Sequence, residues 1–192
     1  VTINAAIDNA IAAGVDIEPQ WGEDVADTVN ATFRRIAQAT LAPAATSVSI
    51  SVPTGYNRYR LTVAPIISSG TDYLHLTVNT LTSNYRGGSR IARYDVVNET
   101  TESSRTDALR LGWVTSYAGN LYVVDIVNAS PPATLTVLSQ GHSVGDGTGA
   151  PEFAHARAGG RHNTTLTLSS IELRTSAGGS FSSVRYWLDG AQ

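Results

Sequence analysis

Residues Gly141-His142-Ser143-Val144-Gly145 have the spacing of a nucleophile elbow, in which a strained turn between a strand and a helix presents a serine. Residues 134–138 suit the strand that must come before. The sequel, Asp146-Gly-Thr-Gly-Ala-Pro151, does not start a helix in the required way, and no α/β-hydrolase pattern surrounds it. A motif counts only in its context, so a Gly-rich loop is the expectation here and the chain is not expected to be an enzyme. His142, His155 and His162, with Asp146 and Glu152, carry the side-chain types that bind metals. Their spacings match no histidine site pattern, and polar loop residues account for them. No metal or cofactor is expected. Tyr56, Tyr59, Tyr73, Tyr85, Tyr94, Trp113, Tyr117 and Tyr122, among scattered Arg and Asn, are the residue types of a sugar-binding face. Burial as core or interface aromatics is the alternative for most of them.

The elements that would position these groups read mainly as strands. Ser47-Val48-Ser49-Ile50-Ser51-Val52 alternates with period two. Tyr59, Leu61 and Val63 alternate with Arg58, Arg60 and Thr62; Leu74, Leu76 and Val78 alternate with Tyr73, His75 and Thr77. Further strands are expected at 91–97, 108–114, 120–127 and 133–139. Residues 140–163 are Gly-rich and irregular, with a strand only at 152–156. Residues 164–190 read as two strands joined by the turn Ala177-Gly178-Gly179-Ser180, with a bulge at Ser169-Ser170. Val184, Tyr186 and Leu188 are expected to face the core, against Val48/Ile50/Val52 or Tyr59/Leu61/Val63.

Residues 1–41 differ from the rest. Ile3, Ile7 and Ile11 recur every four residues, so a short helix is expected before Gly14. Asp24 suits the cap of a second helix that runs to about Thr40. Val25, Val29, Phe33 and Ile36 form its apolar stripe. Such a helix is marginal alone, so the stripe must be buried on the β domain, on copies in an oligomer, or on a larger assembly. These four are the candidate assembly residues. The expected organisation is a two-helix N-terminal arm and linker over 1–46, then an antiparallel, jelly-roll-like β-sandwich over 47–192.

Composition agrees with a β-rich chain of 192 residues. Hydrophobic residues make up 42 %, enough for a core, while charged residues make up only 15 %. All 13 basic residues are Arg, scattered along the chain, and the formal charge is −3, which argues against a nucleic-acid partner. Cys is absent, so disulfides and thiolate metal sites are excluded. No apolar run approaches the ~20 residues of a membrane-spanning helix.

Two stretches resemble a known family. Val52-Pro-Thr-Gly-Tyr-Asn-Arg-Tyr-Arg-Leu-Thr-Val63 resembles an opening motif of small structural and fibre-like proteins of tailed bacteriophages. The stretch from Ser170-Ile-Glu-Leu through Gly178-Gly179-Ser-Phe181 to Trp187-Leu-Asp-Gly190 resembles their closing motif, although the usual ending there is aromatic-Gly. The resemblance implies a β-sandwich over roughly 47–190 and a place in the virion of a protein made in the host cytoplasm. It implies partners among capsid or tail proteins and a homo-oligomer, with trimers common in the family. It brings no catalytic residues. The expected function is therefore a structural virion component: a capsid decoration, head-fibre or tail-associated protein whose arm attaches it to the particle. The alternative is an adsorption protein or lectin-like module that binds a host-surface glycan.

Overall fold

A computed structural model of the chain describes residues 33–41, 45–93, 99–102, 107–128, 132–144, 153–176 and 178–192. Among them the elements are β1 (Arg34–Leu41), β2 (Ser47–Ser51), β3 (Arg58–Ser68), β4 (Asp72–Val78), β5 (Tyr85–Arg93), β6 (Glu99–Glu102), β7 (Leu109–Val114), β8 (Leu121–Val127), β9 (Ala133–Val144), β10 (Phe153–Leu166), β11 (Ser170–Thr175) and β12 (Phe181–Ala191). They build a β-sandwich. Its large sheet has the order β1-β12-β3-β8-β9-β10-β5-β6 and its small sheet the order β2-β11-β4-β7. All neighbours are antiparallel.

The wiring is a nest. β1 pairs with β12 and β2 with β11, then β3 with β8 and β4 with β7, and successive pairs alternate between the sheets. β5–β6 is inserted between β4 and β7, and β9–β10 between β8 and β11. Both insertions lengthen the large sheet beyond β8. Period-two alternation supplies the core. Leu61, Val63, Val124, Ile126 and Leu188 of the large sheet and Ile50, Leu74, Leu76, Ile171 and Leu173 of the small one are fully buried. Each such side chain contributes roughly 1.5–3 kcal/mol by leaving water.

Under the extension the inner face sets small residues among the buried Tyr85, Ile91, Leu135 and Val137. Ala154, Ala156, Ser89 and Ser139 are buried there. Gly87 stands opposite Gly160, and a Cβ on Gly160 would lie 2.4 Å from Leu109 Cδ2. The missing side chains therefore let β7 pack directly on β5 and β10. In β3, Pro65 has no N–H to give to a ladder, and the β3–β8 pairing ends at Val63. Beyond it the buried Asn120 ties the ends together. Its Nδ2 donates to Ile66 O at 2.8 Å, Thr115 O at 3.0 Å and Tyr117 O at 3.0 Å; its Oδ1 accepts from Val144 N at 3.0 Å.

Four expectations are corrected. The second helix was expected to reach Thr40, yet residues 34–41 are β1, the edge strand beside β12. Ala37, Ala39 and Leu41 stand opposite Leu188, Tyr186 and Val184, and this pairing overrides the helix propensity of an Ala-containing segment. Residues 164–190 are not a hairpin: β11 pairs with β2 and β4, β12 with β1 and β3, so the Gly-rich turn carries the chain from one sheet to the other. No bulge interrupts a strand at Ser169-Ser170, because Leu166 ends β10 and Ser170 begins β11. The stretch 140–163, expected to be irregular, holds the end of β9 and most of β10. The closing strand itself agrees with expectation. Val184, Tyr186 and Leu188 are buried, and Tyr186 and Leu188 stand opposite Val63 and Leu61. The expected helix before Gly14, and the part of the second helix before Phe33, lie outside the described residues.

Candidate functional site

The serine motif ends a strand. Gly141, His142 and Ser143 lie in β9, and Ser143 is buried opposite Ala154 of β10. A nucleophile elbow needs a strand-to-helix turn with the hydroxyl exposed, which is not the position of Ser143. Packing explains Gly141: a Cβ there would lie 2.2 Å from Tyr122 Cδ1. Tyr122 is fully buried, its hydroxyl donates to Trp113 O, and burial pushes its phenol pKa up. Gly145, Asp146 and Glu152 lie outside the described residues.

The three histidines do not converge. His142 and His155 stand opposite each other on the outer face of β9 and β10, both exposed. His162 points inward and is buried, edge-on to Tyr85 at 4.9 Å between ring centroids. Its Nε2 lies 3.1 Å from Ser83 O and its Nδ1 3.3 Å from Thr164 O. Among the described residues no three His, Asp or Glu side chains gather as a metal site would require.

The aromatic residues divide in the same way. Tyr59, Tyr85 and Tyr122 are buried, and burial is the main cause that raises each phenol pKa. Tyr56 meets Tyr59 edge-on at 6.0 Å, and Tyr73 meets Trp113 at 6.1 Å with the Arg110 guanidinium 3.8 Å above the Tyr73 ring. Tyr117 is exposed; Tyr94 lies outside the described residues. Among the described residues, then, these aromatics do not share one exposed face.

Of the four assembly candidates, Val25 and Val29 lie outside the described residues. Phe33 is half-buried just before β1, under the guanidinium groups of Arg60 at 4.8 Å and Arg58 at 5.8 Å. Ile36 is half-buried against the core at an irregularity in the β1–β12 register. A strand and its entry replace the expected helical stripe here, so Phe33 and Ile36 do not share a helix face.

Arginines scattered in sequence are gathered by the fold. Register places Arg157 opposite Arg90 and Arg161 opposite Arg86 across the β10–β5 ladder, all four exposed on the outer face. Like charges directly opposite are unfavourable in a sheet. Between the two pairs stand Gly159 and Gly88, also opposite each other. The glycine row continues into Leu138 of β9, 60 % exposed, and then Asp125 of β8. Asp125 is committed to Arg60, which donates through Nε at 2.7 Å and Nη2 at 3.3 Å. That hydrogen bond raises the Arg60 pKa further. Beside Leu138 an open depression of about 480 Å³ is lined by Leu121, Val123, Gln140, His142 and His155, among others. Sequence reasoning missed this face because its arginines lie up to 75 positions apart, from Arg86 to Arg161. A usable signal was present in the pairing of Arg86-Gly87-Gly88-Ser89-Arg90 with Arg157-Ala158-Gly159-Gly160-Arg161, two segments of the same Arg-x₃-Arg form.

No protein-family model matches the chain, and comparison with curated proteins gives no match.

Proposed function

We propose that the chain is a structural component of a tailed-phage virion, with a jelly-roll sandwich facing outward and the segment before β1 attaching it to capsid or tail proteins. The observation that carries this reading is the nest of strand pairs β1–β12, β2–β11, β3–β8 and β4–β7, alternating between two sheets. Eight strands wound in that way make a jelly roll, an architecture used by viral capsid domains. Lectin domains use it too, and a fold alone does not fix function, so the virion assignment also leans on the opening and closing motifs. In the structure those motifs occupy β3, β11 and β12, which lie in both sheets. The test is immunogold imaging of intact particles with an antibody against the sandwich. Regular labelling of heads or tails is the expected result. Recovery of the protein only in the unassembled fraction would overturn the reading.

A further inference from the structure

We propose that the outer face of β9 and β10 binds a late first-row divalent metal ion, of the class Cu²⁺, Ni²⁺ and Zn²⁺, through the imidazoles of His142 and His155. This does not rest on the virion reading.

The fold makes the pair. Register sets His142 of β9 directly opposite His155 of β10, both exposed. The hydrogen bonds at the end of β9 show which kind of opposition this is. Val144 gives its N–H to Asn120 Oδ1 at 3.0 Å, and its carbonyl accepts from the Thr115 hydroxyl at 2.6 Å. Thr115 and Asn120 lie in the segment that leads into β8, so the backbone polar groups of Val144 point to the β8 side. Those of His142, two residues back along an unbroken register, point the same way, toward Leu121 of β8. Toward β10, His142 and His155 are therefore a pair without ladder hydrogen bonds. In such a pair the Cα atoms are only about 4.5 Å apart and the side chains are nearest.

That spacing suits one metal ion. Bonds of ~2.0–2.1 Å from zinc to imidazole, at a tetrahedral angle, put two donor nitrogens about 3.3 Å apart. Side chains whose Cβ atoms start ~4.5–5.5 Å apart can lean that far. Among the described residues neither imidazole has a hydrogen-bond partner to give up. Leu121 and Ala92 flank the pair in its own row, apolar on either side. A site that encloses its metal takes three or four protein ligands, and no such group is present among the described residues. Two imidazoles make an open chelate instead, and water from the adjoining depression completes the coordination. Arg157 and Arg90 border His155. Their charge lowers the affinity for any cation but takes no ligand position. The donors select the class of ion: imidazole suits copper, nickel and zinc, whereas magnesium and calcium prefer oxygen.

The experiment is isothermal titration calorimetry of the untagged full chain at pH 7.5, with Cu²⁺, Ni²⁺, Zn²⁺ and Mg²⁺ as probes. One ion per chain is expected, tightest for Cu²⁺, with no binding of Mg²⁺. His142→Asn and His155→Asn should each lower the affinity about tenfold or more, while urea melts without metal stay unchanged. The remaining histidines, His75 and His162, are buried and should not substitute. Electron paramagnetic resonance of the Cu²⁺ complex should show two coupled nitrogens in the parent and one in either variant. Affinity should fall at pH 5.5, because the metal takes the neutral imidazole. Absence of binding at millimolar ion would overturn the proposal. So would binding that either variant leaves unaltered, equal binding of Mg²⁺, or one ion per two chains with donors from separate copies.

Discussion

Asn120→Ala should destabilise the sandwich by about 3 kcal/mol, within a range of roughly 2–5. Asn120 is 1 % exposed and precedes β8. Its amide has two hydrogens and faces three carbonyls, those of Ile66, Thr115 and Tyr117, so one hydrogen is shared. Its oxygen accepts the amide of Val144 at the end of β9. Thr115 Oγ1 also lies 3.2 Å from that oxygen, but its single hydrogen goes to Val144 O at 2.6 Å. Three net hydrogen bonds are lost in the alanine variant, and buried backbone groups at the ends of β3 and β9 are left unsatisfied. Each costs about 1–3 kcal/mol, reduced where water enters beside the exposed Tyr117. Asn120→Asp separates donor from acceptor. It keeps the shape and the acceptor, but an ionised carboxylate would face three carbonyl oxygens. Its folded pKa must therefore lie above the unfolded value of about 3.9. A raised folded pKa means that stability is retained below the unfolded value and lost as pH rises through the folded one. Urea melts of the aspartate variant should accordingly give a higher midpoint at pH 4 than at pH 7, relative to the parent. Hydrogen exchange at the Val144 amide should accelerate in the alanine variant. A cost below about 1 kcal/mol in both variants, with Val144 still protected, would refute the account of this staple.

Leu188→Ala should cost roughly 2–5 kcal/mol, because Leu188 is fully buried opposite Leu61. Arg185→Ala should cost under ~1 kcal/mol in the same melts, since Arg185 is exposed and loses only its position 5.0 Å over Trp187. Gly141→Ala should lower stability by more than ~1–3 kcal/mol through its overlap with Tyr122, and Tyr122→Leu in the same chain should recover part of that loss. Stability should fall above pH 10: Tyr59, Tyr85 and Tyr122 have phenol pKa values raised from 10.0, mainly by burial. Their contribution is whole below the unfolded value and lost toward the folded ones, and ultraviolet titration should show these phenols ionising only as near-ultraviolet dichroism disappears. Removal of residues 1–32 should leave a folded sandwich. Removal of 1–41 strips β1 from β12, and should lower stability by more than ~2 kcal/mol and promote association through the bared edge.

What was legible in the sequence followed from side-chain size. Strands with large apolar residues on alternate positions, such as Val48/Ile50 or Tyr59/Leu61/Val63, announce themselves by period two. β10 does not. Its inward positions are Ala154, Ala156 and His162, with Gly160 facing Leu109, and its outward ones are His155, Arg157, Gly159 and Arg161. Small residues inside are what close packing of β7 requires, and they erase the hydropathy contrast. β1 was obscured by the same cause, since Ala37 and Ala39 meet Leu188 and Tyr186, and alanine reads as helix when no partner strand is in view. The Gly178-Gly179 turn was found but its outcome was not. Periodicity tells which residues share a face; it carries no information on whether the next strand returns to the same sheet or crosses to the other.

The arginine face follows from the same geometry. The nested pairs bury most of the large apolar side chains. β9, β10 and β5 lie outside the nest, and their inner face combines the buried Tyr85, Ile91, Leu135 and Val137 with the alanine, serine and glycine that face β7. Glycine on both strands between the arginine pairs subtracts from stability, through backbone entropy and lost packing. Stability alone would favour β-branched residues at positions 88 and 159. The sequence instead keeps glycine at both, facing each other between Arg86, Arg90, Arg157 and Arg161.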